Sequence, residues 1–205
     1  MGPADLVRHI AWDIGVAGMG AALAPLIDAP FVHQAYSRLV IDCNRRPGAP
    51  DRAPEVSDGT AIPGNVGLSA ADLAARVDEI YQPYQDAIAA ELDRRAAAGR
   101  TSLLVSLHSF TPVMQGAPRP WKIGVLHRND SVLSSRMLAL LQAEFGDAAG
   151  DNQPYAMDGT DNTVPLHAPR FDDYVEIEVR QDLVADEAGQ GEIAALLARI
   201  LPQLL

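Results

Sequence analysis

Thr101-Ser-Leu-Leu-Val-Ser-Leu-His-Ser-Phe110 is the stretch on which the fold turns. Leu103, Leu104, Val105 and Leu107 form an apolar run of strand length that stops at His108 and Ser109. Continuous apolar strands of this kind are usually covered on both faces, as at the centre of an α/β sheet. Function in open α/β sheets gathers at the carboxyl ends of such strands. His108 is therefore either a candidate for metal or acid–base chemistry, or a strand cap that hydrogen-bonds the following loop.

Working outward, residues 69–98 read as a long helix. Ser69-Ala-Ala-Asp72 is a variant capping box at its start, Pro83 should kink or split it, and Gly99 follows its end. Residues 123–126 read as a strand and 131–145 as a helix. Residues 146–169 are irregular, with Tyr155, Asp158, Asp161 and His167 among them. Tyr174-Val-Glu-Ile-Glu-Val-Arg180 alternates strictly, with Val175, Ile177 and Val179 on one face and Glu176, Glu178 and Arg180 on the other. Residues 187–204 close the chain as an amphipathic helix. Toward the N-terminus, residues 4–27 read as a helix on which His9 and Asp13, four apart, share a face. Residues 31–36 and 39–44 read as two short strands or one bent strand, and 45–68 as a long Pro/Gly-rich binding loop or lid. Helices alternating with strands, without an internal repeat, predict one α/β domain over 1–205, a three-layer α/β/α sandwich on a mixed central sheet.

The composition limits the function classes. The 205 residues carry 27 Asp and Glu against 16 Lys and Arg, a formal net charge of −11. Such an acidic surface repels phosphate backbones, so nucleic acid is not an expected partner. The single cysteine, Cys43, excludes an intramolecular disulfide and a cysteine-rich zinc site, and reads as a buried, inert thiol. No run approaches the roughly 18 apolar residues of a membrane span. Asp5 and Asp13 stand where a signal peptide would need lysine and then an apolar block. A cytoplasmic enzyme or binding protein, monomeric or homo-oligomeric, is expected.

Four polar clusters interrupt otherwise apolar elements: His9/Asp13, Arg38 with Asn44 and Arg45, His108/Ser109, and Glu176/Glu178/Arg180. The last is either the wet face of an edge strand or a functional patch. A carboxylate, a histidine and an aspartate could bind a divalent ion, and a second carboxylate could activate its water. Arginine and asparagine would hold a substrate carboxylate, arginine through a bidentate fork.

Five blocks carry a resemblance: His9-Ile-Ala-Trp-Asp-Ile-Gly15, Arg38-Leu-Val-Ile-Asp-Cys-Asn-Arg45, Ile62-Pro-Gly-Asn-Val-Gly-Leu-Ser69, Leu107-His-Ser-Phe-Thr-Pro112 and Glu176-Ile-Glu-Val-Arg-Gln-Asp-Leu183. In this order, and over nearly the whole chain, they look like the N-formylglutamate amidohydrolase family, itself similar to zinc carboxypeptidases and aspartoacylases. The resemblance implies a mixed sheet between helices and a zinc-dependent hydrolase of a short N-acyl amino acid, with N-formyl-L-glutamate cleaved to formate and L-glutamate. Carried over, Asp13 and His108 would be zinc ligands and Glu178 the general base. Arg38 would polarise the scissile carbonyl, and Asn44 and Arg45 would clamp the α-carboxylate. Arg180 is a candidate for the side-chain carboxylate. His9 and His167 have either ordinary or functional roles.

One family feature has no counterpart here: an opening strand ending in the histidine that is the family's first zinc ligand. The reading is therefore of an N-terminally shortened form with one ligand missing, for which His9 could substitute. The alternatives are a catalytically impaired carboxylate-binding protein of the same fold and a hydrolase for another N-acyl amino acid.

Overall fold

The computed structural model describes residues 1–128, 131–157, 159–168 and 174–205. Asp158 and Pro169, noted above in the second irregular stretch, lie outside them. In chain order the helices are α1 (Pro3–Leu6), α2 (Val16–Leu26), α3 (Ala70–Arg76), α4 (Gln82–Ala97), α5 (Val132–Phe145), α6 (Thr163–His167) and α7 (Glu187–Ile200). The strands are β1 (Val56–Ser57), β2 (Thr60–Ala61), β3 (Leu104–Phe110), β4 (Val113–Met114), β5 (Ala117–Pro118), β6 (Ile123–Leu126), β7 (Ala149–Asp151) and β8 (Tyr174–Arg180).

The chain divides into two compact units. The first holds Met1–Trp12, Val32–Ser102 and the described residues of Gly159–Asp172. The second holds Asp13–Phe31 and the described residues of Leu103–Asp158 and Asp173–Leu205.

The second unit carries the α/β sheet expected from the sequence. Its four strands run in the order β3-β8-β6-β7, with β3 parallel to β8, β6 antiparallel to β8 and β7 parallel to β6. The alternation of β8 fixes which face is which. Val175, Ile177 and Val179 are wholly buried with Ile123 and Val125 of β6, Met19 and Leu23 of α2, Met137 and Leu141 of α5, and Leu197 of α7. Each such aliphatic side chain contributes up to about 1.5–3 kcal/mol on burial. Helices α2 and α7 approach closely because Gly18 lacks a side chain where Gln190 lies. The other face of β8, with Glu176 and Glu178, is shared by Ser106 and His108 of β3, its register partners.

Two expectations are corrected. The apolar run 103–107 belongs to an edge strand of the sheet, not its centre. It alternates after all: Leu103, Val105 and Leu107 pack on the core while Ser106 and His108 lie on the polar face, and Leu104 alone makes the run look continuous. The helix expected over 4–27 is two helices separated by turns at 7–15, so His9 and Asp13 share no helix face. Gly15 makes the break. It is the N-cap of α2 in the left-handed region at φ 81, and a Cβ there would run into the Val184 carbonyl.

In the first unit, Ser69 caps α3 by accepting from the Asp72 N–H, as expected. A single π turn, Val77–Tyr81, joins α3 to α4 just ahead of Pro83. Such a turn absorbs the missing N–H and the ring clash of an internal proline without breaking the helix. Residues 31–44 form turns and extended chain rather than strands. Their apolar side chains fill two small clusters, Leu39 with Ile10, Ala11 and Ile62, and Ile41 and Cys43 with Tyr81. Burial pushes the Cys43 thiol up to about 11, against the hydrogen bond from Gln34, so it stays protonated and inert at neutral pH. The irregular stretch 146–169 contains β7 and α6, both too short to show periodicity.

Gly15→Ala is expected to lower folding stability by about 2–5 kcal/mol, from the left-handed backbone cost together with the overlap with Val184. A drop in urea midpoint read by far-UV circular dichroism measures it; an unchanged midpoint would contradict the close approach.

Candidate active site

The polar face of the second unit's sheet gathers four titratable side chains. His108 and Glu178 are register partners on neighbouring strands, and so are Ser106 and Glu176. Asp13 arrives from the turn before α2. That turn is pinned at two points: Gly15 reverses the chain, and the Ser109 hydroxyl donates to the Ile14 carbonyl at 2.9 Å. The Asp13 carboxylate then sits 2.8 Å from Nδ1 of His108, while Nε2 of the same ring lies 3.1 Å from the Ser106 hydroxyl. Both side chains of the pair keep about a fifth of their surface exposed, whereas Glu176 and Glu178 retain 2% and 7%. The wet-edge reading of these two glutamates is thereby overturned, since β8 is an interior strand and both are buried.

Charge decides what this group can do. Burial of the His108 ring favours its neutral form. The hydrogen bond to Asp13, with the charges of Asp13, Glu176 and Glu178, together outweigh that and raise its pKa from 6.5 to about 10. His108 is therefore an imidazolium at neutral pH. Ser106, His108 and Asp13 have the connectivity of a serine-hydrolase triad, but a protonated ring cannot take the serine's proton. The raised ring pKa weighs against a nucleophilic serine. The carboxylates on this face are then the candidate proton acceptors, and the ring a donor.

The implied zinc ligands can be tested on the same geometry. Carboxylate oxygen and imidazole nitrogen are suitable donor types. Asp13 and His108, however, are bonded to one another, and among the described residues no three His, Cys, Asp or Glu side chains gather to hold a metal. A catalytic zinc centre takes three protein ligands and a water. The residues present fall short of one.

The remaining expected site residues have visible partners. Arg38, Asn44 and Arg45 all belong to the first unit. Arg38 donates through Nε and Nη2 to Asp42 at 3.0 and 2.6 Å. The Asn44 side-chain carbonyl accepts from the backbone N–H groups of Asn162 and Thr163 at 3.1 and 2.9 Å, capping the start of α6 from far away in sequence. Arg45 is paired with Asp51 at 2.8 Å and donates to the Asn44 carbonyl. His9 lies 3.5 Å from Asp58, and His167 is buried against the Gln85 side chain at 2.8 Å. In the second unit, Arg180 forks onto Asp182 through Nε and Nη2 at 2.7 and 3.1 Å, and its Nη1 donates to the Arg119 and Trp121 carbonyls.

The model of one protein family, N-formylglutamate amidohydrolase, matches residues 2–185. The chain belongs to that family. It is an amidohydrolase family. A gene product of Agrobacterium tumefaciens, Atu2144, known from a crystal structure, is 40% identical, with a TM-score of 0.93 over all of this chain and 81% of its own. The N-formylglutamate amidohydrolase of Ralstonia eutropha JMP134 has the same fold, with a TM-score of 0.61 over 92% of this chain and 81% of its own at 18% identity. No curated protein matches the sequence.

The polar clusters in the sequence included Glu176 and Ser109 without a role for either, and Ser106 was not among them. The period-two alternation through Ser106, His108 and Phe110 was the signal available for Ser106. Nothing local announced that Ser109 would hold the turn bearing Asp13.

Because the folded His108 pKa lies above its unfolded value, its proton stabilises the fold fully below pH 6.5, and that contribution fades as pH rises to about 10. In metal-free protein, the urea midpoints of wild type and His108→Gln should therefore differ most below pH 6.5 and converge toward pH 10. A gap that does not change with pH would rule the charged ring out.

Proposed function

We propose that this amidohydrolase-family chain cleaves the amide bond of a short N-acyl amino acid, N-formyl-L-glutamate to formate and L-glutamate. The observation that supports this reading is the convergence of Asp13, His108, Glu176 and Glu178 on one buried polar face, three carboxylates around one imidazolium. Amide hydrolysis needs a base to take a proton from water and a donor for the departing amine. Glu178, register partner of His108, is the carboxylate proposed as base. His108 is proposed to donate to the leaving nitrogen and to offset negative charge developing on the carbonyl oxygen. Asp13 positions the ring, holding Nδ1 so that Nε2 points away from it. Glu176 adds charge that keeps the ring protonated.

Arg38, proposed to polarise the scissile carbonyl, and Asn44 with Arg45, proposed to contact the α-carboxylate, rest on the family-like block 38–45. Zinc dependence likewise rests on the resemblance, and calls for a donor beyond Asp13 and His108. The short ligand set favours one other reading, a silent carboxylate-binding protein. That protein would be stabilised by glutamate with no formate released. No helix among the described residues is long and apolar enough to cross a membrane.

Formate release from N-formyl-L-glutamate, with zinc added and then chelated, tests the proposal. Wild type is expected to turn over, and Glu178→Gln to lower kcat by about 100-fold or more with little change in melting temperature; loss of turnover on chelation would call for a metal donor beyond Asp13 and His108. Turnover that survives Glu178→Gln removes the assigned base, and no formate from wild type with zinc present removes the reaction.

A further inference from the structure

The arginine expected to meet the substrate's side-chain carboxylate, Arg180, spends its fork on Asp182 and its Nη1 on two backbone carbonyls. One of those carbonyls belongs to Arg119, whose own side chain is differently placed. Arg119 follows the β4–β5 hairpin. The two turn residues of that hairpin, Gln115 and Gly116, both have positive φ, 50 and 80, as a tight two-residue turn requires. The Arg119 N–H closes back on the Pro112 carbonyl at 2.8 Å, fixing the backbone just beyond the end of β3.

From there the guanidinium lies between two rings. Its central carbon is 4.6 Å from the centroid of Tyr155 and 5.9 Å from that of Phe110. Nη1 donates to the Tyr155 hydroxyl at 2.9 Å and, at 3.4 Å, to the Thr111 carbonyl. Nε and Nη2 donate to no described residue, and among the described residues no carboxylate pairs with this cation. Aromatic faces and one tethered nitrogen hold the plane of the group while leaving donors available, which is how a preorganised carboxylate receptor is built. Its position connects it to the chemistry. Phe110 is two residues beyond His108 on the same face of β3, a backbone rise of roughly 7 Å. An extended N-formylglutamate, from its formyl carbon to its side-chain carboxylate, has a length of that order.

We propose that Arg119 is the specificity residue for the substrate's side-chain carboxylate, with Tyr155 and Arg180 as positioning residues. This rests on the N-acyl amino acid reading above. Two arms test it. In the kinetic arm, N-formyl-L-glutamate is compared with N-formyl-L-glutamine, which differs only in lacking that charge. Wild type should prefer the glutamate substrate in kcat/KM by about 10- to 100-fold, the scale of one charged hydrogen-bonded contact. In Arg119→Gln most of that preference should vanish, through KM rather than kcat. Arg119→Lys, which keeps charge without the fork, should recover part of it, and Tyr155→Phe should lose a smaller share. In the binding arm, which needs no turnover, glutarate should raise the melting temperature of wild type and leave that of Arg119→Gln unmoved.

Retention of the glutamate preference in Arg119→Gln overturns the assignment. So does an equal loss on both substrates with a lowered melting temperature, which marks a structural strut, and so does wild type that glutarate does not stabilise. If no formate is released from either substrate while glutarate still distinguishes wild type from Arg119→Gln, the reaction falls and the receptor stands. If formate is released and both proteins show the same preference, the receptor falls and the reaction stands.

Discussion

Two glutamates buried on an interior strand, beside a histidine already bonded to an aspartate, impose the constraint from which the rest follows. Ionised carboxylates in a protein interior are costly unless a positive charge stands near them. Here the His108 ring stands beside them, and the charges of Asp13, Glu176 and Glu178 raise its pKa. The group is mutually dependent: removing Asp13 leaves the ring with less reason to be charged, and removing the ring leaves three acids facing one another. Such an arrangement stores chemistry. It sets carboxylates and an imidazole side by side on neighbouring strands.

The scaffold delivers this group by simple means. β8 alternates, so one face closes the hydrophobic core with α2, α5 and α7 while the other collects the acids. A glycine in the left-handed backbone region, which other residues rarely adopt, turns the chain so that Asp13 meets β3. Ser109, on the core-facing side of β3, ties that turn down. The residues doing the positioning are small and would pass unnoticed in a search for catalytic types.

Much of this was legible in the chain itself. The alternation of Tyr174–Arg180 settles the strand and its two faces, and the cap at Ser69 settles the start of α3. Asp13, His108 and Glu178, drawn from blocks far apart in sequence, do come together. What resisted reading has physical reasons. A strand's own residues do not say how many neighbours it has, so β3 read as central although it lies at the sheet's edge. Hydrophobic spacing over 4–27 hid a break that depends on the dihedrals of one glycine. Arginines look alike in sequence; only their partners separate Arg180, bound to Asp182, from Arg119, stacked between rings.

The charges of Asp13, Glu176 and Glu178 should keep a proton on both ring nitrogens of His108 at neutral and mildly alkaline pH. Imidazole nitrogen resonances in a 15N NMR spectrum of metal-free protein report this directly. At pH 8, two protonated nitrogens are expected for His108, and a return toward a neutral ring in Asp13→Asn. A single neutral tautomer in the wild-type spectrum at that pH would contradict it.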